Sequence, residues 1–147
     1  MKPRAAWPVL VKKAKEKCDL AQASVVQARE RLKALQASRA RTQALYDDYV
    51  QKCREAEQTA QSITVSQSYR TFIQQLQSLI LRVNVDIQGA EYVLAERKAV
   101  LLAAEKKKLQ METLMEKDLQ RVRAHQQKRE QQAMDAAGVM LYNFKNS

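Results

Sequence analysis

The sequence predicts an all-α fold, a long antiparallel two-helix coiled coil folded as a helical hairpin. Three observations carry that reading. The 147 residues include only 2 Gly and 2 Pro, with 5% aromatic residues, and no turn cluster of the kind a sheet needs occurs between Val11 and Gly138. Ala, Gln, Leu, Lys, Arg and Glu dominate, the composition of long helices. Apolar residues recur at alternating steps of three and four over most of the chain.

The opening stretch to Pro8 is expected to be loose, with Pro8 suited to a first helical turn. Trp7, the only Trp, is expected to fold against the helix start beside Val11. From there the first arm repeats with a period of seven through Val11, Cys18, Val25, Leu32, Arg39, Tyr46, Cys53 and Ala60. The companion series is Ala14, Ala21, Ala28, Leu35, Thr42, Tyr49, Ala56 and Ile63. Only Arg39 and Thr42 break the apolar run. A buried unpaired Arg is costly, so Arg39 is expected to reach a carboxylate across the seam, Asp86 or Glu91.

The arm should end near Ile63, Thr64 and Val65, three β-branched residues that are stiff at χ1 and weak in helices. Ser66 and Ser68 can cap a new helix. This places a hinge at about 63–67, the first arm at about 8–62 and the second at about 68–137. All belong to one helical-hairpin domain, 1–147, with a flexible tail at 138–147.

The second seam reads Tyr69, Ile73, Leu76, Ile80, Val83, Ile87, Ala90 and Leu94, weakens through Arg97, Leu101 and Ala104, and resumes at Met111. Two successive steps of four, Met111–Met115–Leu119, read as a stutter that unwinds the supercoil locally. The pattern continues through Val122, Gln126, Arg129, Ala133 and Ala136. Gly89 is expected to pack closely near Thr42, and Gly138 to stop the helix. At about 1.5 Å per residue the arms are about 80 and 105 Å long, so the second overhangs the first.

The net charge of +10 is uneven. Residues 1–17 and residues 106–129 each carry +5, leaving the rest neutral. A hairpin brings both basic segments to its terminal end, where an acidic partner is expected. Cys18 and Cys53 form no metal-binding or redox motif and read as reduced seam residues. No signal segment is expected, and no run of about 18 apolar residues exists to span a membrane.

No chemistry is legible. His125, the only His, sits in a basic helical segment without ligand spacing around it. There is no Gly-rich phosphate cradle, and Asp47 and Asp48 point to different sides of a helix. Catalytic, cofactor-binding and metal-binding residues are therefore expected to be none, and no small-molecule substrate is implied. Near the hinge, however, Phe72 and Leu79 lie beside a seam already filled by Ile73, Leu76, Ile80 and Val83. Leu45 and Tyr49 rise towards them from the first arm. Exposed apolar side chains with aromatic anchors mark a partner surface.

The motif Tyr69-x-x-Phe72-Ile73-x-x-Leu76, just after a mid-chain turn and preceded by Tyr46 and Tyr49, resembles the FliJ family of flagellar type III export proteins. Injectisome stalk proteins of the YscO type are more distant relatives. Length, the basic second arm and the late Met134-Asp135 pair agree. The resemblance implies a cytoplasmic, non-enzymatic coiled coil similar to the γ stalk of rotary ATPases, peripheral at the inner membrane through its partners. It implies that the terminal end enters the pore of a hexameric export ATPase and promotes its assembly and activity, which makes Lys12, Lys13, Arg121 and Arg123 the expected ring contacts. It also implies contact between the hinge region and the export-gate membrane protein, and dealings with export chaperones. By position, Tyr49, Phe72 and Leu76 match the gate surface, and Leu79 and Val83 continue that face. The competing reading is a basic coiled-coil scaffold or nucleic-acid-binding protein. The chain lacks the continuous basic region of a DNA-binding zipper, which disfavours nucleic acid.

Overall fold

In the computed structural model, residues 6–59 and 63–146 are described. They form two helices packed against each other, α1 (Ala6–Gln58) and α2 (Ile63–Lys145), with no strand among the described residues. The helical-hairpin coiled coil predicted from the heptads is the observed fold. The packing divides into two units, Met1–Leu20 with Leu102–Ser147, and Ala21–Leu101.

In the second unit the buried seam residues are Ala21, Val25, Ala28, Cys53 and Ala56 of α1 and Leu76 and Ile87 of α2. Among the described residues Val25 is the most enclosed large side chain, 1% exposed. The alanines keep the helices close and lose almost no rotamer entropy on packing. Partner numbers fall along α1 as they rise along α2: Gln77 donates to Tyr46, Arg39 to Asn84 and Arg97 to Ser24. That ordering is the antiparallel register. Arg39 is exposed and its Nη1 donates to Asn84 Oδ1 at 3.5 Å, so it meets neither Asp86 nor Glu91. An exposed guanidinium keeps its water and needs no carboxylate. The arginine in the seam is Arg97, half-buried, whose Nη1 donates to Ser24 Oγ at 2.8 Å.

Helix α2 begins earlier than the β-branched run suggests. Thr59 is a turn residue whose N–H donates to Glu55 O at 3.0 Å. Ala60, Gln61 and Ser62 lie outside the described residues. Ile63, Thr64 and Val65 already belong to α2. A first helical turn has no preceding turn to crowd a branched Cβ, so the usual penalty is small there. Ile63 is 77% exposed and leaves the seam. Ser68 is not a cap: its Oγ donates back to Thr64 O at 2.9 Å inside the helix.

Gly89 also departs from expectation. It shares a groove with Ala28 and Arg31, not Thr42, and a Cβ there would meet nothing within 4 Å. Thr42 satisfies its hydroxyl locally, donating to Ser38 O at 2.9 Å.

In the first unit, Ala14 and Cys18 of α1 are buried with Val122 of α2. Val11, Met111, Met115 and Leu119 flank them, half-buried. Trp7 is half-buried and its Nε1 is enclosed without a hydrogen-bond partner. From Gln126 to Lys145 every residue of α2 is exposed, including the expected seam positions Gln126, Arg129, Ala133 and Ala136. Gly138 does not end the helix, which runs to Lys145 with no glycine at positive φ among the described residues. A glycine stops a helix where the chain must turn away. An exposed segment with nothing to turn onto loses only about 1 kcal/mol of propensity there.

Candidate functional site

The apex of the second unit is an aromatic cluster. Tyr49 of α1 lies against Phe72 of α2 with ring centroids 4.5 Å apart, and against Tyr69 edge-on at 5.9 Å. Heptad spacing places Tyr46, Tyr49, Tyr69 and Phe72 on facing sides of the two helices, and tilted or edge contacts suit the ring quadrupoles. Lys52 Nζ sits 5.0 Å from the Tyr49 ring centroid and 3.1 Å from Asp48. Gln77 Nε2 donates to the Tyr46 hydroxyl at 3.2 Å.

Of the residues expected at the gate surface, Tyr49 and Phe72 are brought together and half-buried, and Leu79 stands 49% exposed. Leu76 is 3% exposed. It is buried in the seam and is not part of the exposed surface. Leu45 is 46% exposed.

The apex is also clasped. Arg70 of α2 pairs with Glu57 of α1 across the hairpin, and the Cys53 thiol donates to Glu57 Oε1 at 3.8 Å. The Arg70 hydrogen bond and charge hold the Glu57 carboxyl below its ordinary value. A depressed carboxylate contributes stability above its unfolded pKa and loses it as pH falls through the folded value. Acidification below the ordinary glutamate range, about 4.3, should therefore loosen the apex. In Glu57→Gln that part of the acid sensitivity should disappear, as amide exchange at residues 53–58 followed against pH will report. The residues of this clasp were not singled out from the sequence: Glu57 stands next to the end of α1 and Arg70 two turns into α2, so no equal spacing from the turn pairs them.

The first unit carries the basic surface. Residues 1–20 and 102–147 hold 15 Lys and Arg against 8 Asp and Glu, net +7, while residues 21–101 hold 11 against 8, net +3. Lys12, Lys13 and Arg123 are exposed. Arg121 is exposed but committed: its Nη2 donates to Asp118 at 2.8 Å, and Asp118 is 8% exposed. Sequence reasoning missed Asp118, because a charged residue reads as surface. The basic residue three positions on, one turn away, was the available signal. His125 is half-buried with an enclosed, unpartnered Nδ1. No group of three His, Cys, Asp or Glu residues that could hold a metal ion exists among the described residues. No helix among them is long and apolar enough to cross a membrane.

These features define a helical-hairpin coiled coil with surfaces suited to binding partners. The model of the family described as Flagellar FliJ protein matches residues 8–147, nearly the whole chain. The chain therefore belongs to the flagellar FliJ family, whose members are components of the flagellar protein export apparatus. Comparison with curated proteins and with solved structures gave no match.

Proposed function

We propose that the chain is the central stalk of the hexameric export ATPase, promoting its assembly and activity and linking it to the export gate and to export chaperones. It works without catalytic groups of its own, in the cytoplasm, held at the inner membrane only through these partners. The observation that carries this reading is the concentration of positive charge in one unit: net +7, with Lys12, Lys13 and Arg123 exposed. Basic side chains on packed helices suit an acidic, enclosing partner, where water is partly excluded and each charge counts for more than on an open surface. The gate contact is assigned to the apolar surface of Tyr49, Phe72 and Leu79, with Leu76 buried in the seam.

The direct test adds purified protein to the cognate ATPase and follows phosphate release and hexamer formation. Both should rise with added protein and saturate near one chain per ring. An unchanged turnover would contradict the stalk reading, and steeply salt-dependent binding to duplex DNA in its place would favour the nucleic-acid alternative.

A further inference from the structure

A second face of α2, within the Ala21–Leu101 unit, is left uncovered. Val85 is 66% exposed, Val93 37% and Tyr92 72%, and Arg82, Gly89 and Glu96 beside them are exposed. At about 100° per residue this face is turned roughly 160° from the Ile80, Val83, Ile87 and Leu94 seam. Arg82, Val85, Gly89, Tyr92 and Glu96 follow steps of three and four, a second heptad stripe away from the seam, with Val85 and Gly89 at the edge of the groove they share with Ala28 and Arg31 of α1. Gly89 has no internal explanation: it costs about 1 kcal/mol relative to Ala, and a Cβ would meet nothing within 4 Å. A glycine between two exposed valines permits close approach of another backbone.

The charges indicate whose backbone. Neither Arg82 nor Glu96 has an ion pair or hydrogen bond among the described residues. They lie seven positions either side of Gly89 and about 21 Å apart along the helix, too far to pair within one chain. Across a two-fold axis at Gly89, antiparallel helices set residues equidistant from the axis opposite each other. Val85 then meets Val93 of the second copy, and Arg82 meets Glu96 of the second copy, twice over. A parallel pairing in register would oppose like charges.

We infer that a second copy of this chain docks on this face, antiparallel, with Gly89 at the two-fold axis. The contact is short, at the small end of specific interfaces, so the dimer forms at micromolar concentrations. It involves neither Lys12, Lys13 and Arg123 nor the Tyr49–Phe72 apex, and stands or falls separately from the stalk reading.

Sedimentation of the full chain across a micromolar concentration series at low salt tests it. Wild-type mass should rise from 16.9 kDa towards twice that value. Arg82→Glu alone and Glu96→Arg alone should each remain monomeric, with unchanged helicity by circular dichroism. An equimolar mixture of the two variants should recover the dimer, because each chain then supplies the charges opposite to the other's at both pairs. Wild-type protein that stays monomeric, single variants that dimerise like wild type, or a mixture that stays monomeric would each overturn the inference.

Discussion

Leu76→Ala should cost about 3 kcal/mol of stability, the usual cost of emptying a buried leucine site. At 3% exposure its side chain is as enclosed as any in α2, and it lies in a seam only one layer deep. A hairpin has no second layer to collapse into the cavity. With about 2–4 °C lost per kcal/mol in a chain of this size, the thermal midpoint should fall by roughly 10 °C. Leu79→Ala, three positions on and 49% exposed, should leave it nearly unchanged. Thermal melts followed by circular dichroism check both. The contrast matters for function, because a gate-binding defect in Leu76→Ala would report a loosened apex, whereas one in Leu79→Ala would report a lost contact.

Neutralising the basic surface should have the largest functional effect. Lys12→Gln, Lys13→Gln and Arg123→Gln keep much of the aliphatic stem while removing charge. If each lost charge contributes about 1 kcal/mol to an ATPase contact, the triple variant binds roughly 100-fold more weakly. Titrating ATPase stimulation against protein concentration reads this directly, and raising salt should weaken wild type more than the variant. Arg121 is left out of the set. Removing its guanidinium strips a donor from Asp118, a carboxylate 8% exposed, and the resulting stability loss would obscure any change in binding.

The seam was the most legible part of the sequence. Ala14, Cys18, Ala21, Val25, Ala28, Cys53, Ala56, Leu76, Ile87 and Val122, the buried hydrophobic residues of the structure, all occupy positions that the 3–4 spacing assigns. That spacing is dictated by helix geometry and survives any local irregularity. What it does not report is where the opposing helix runs out. The apolar pattern continues through Ala133 and Ala136, yet both are exposed, because α1 contributes only Ala6–Leu20 to that unit. The ends were read from propensity alone. Ile63–Val65 and Gly138 looked like breaks, but a first turn tolerates β-branching and an exposed helix tolerates a glycine.

The binding surfaces were legible in part, for related reasons. Excess apolar residues beside a filled seam pointed to Phe72 and Leu79, and the structure places Phe72 against Tyr49 and leaves Leu79 exposed. The Arg70–Glu57 clasp and the Arg121–Asp118 pair escaped notice. A charge shows its partner only when the chain is folded, and a heptad pattern contains no record of which charges are committed.

The most direct test compares two variants in one ATPase stimulation titration. Phe72→Ala with Leu79→Ala removes the apex surface, and the Lys12, Lys13 and Arg123 triple removes the basic one. The apex variant should stimulate turnover as wild type does, while the basic variant should need roughly 100-fold more protein. Loss of stimulation in the apex variant with full stimulation in the basic variant would contradict the assignment of the ATPase to the basic surface.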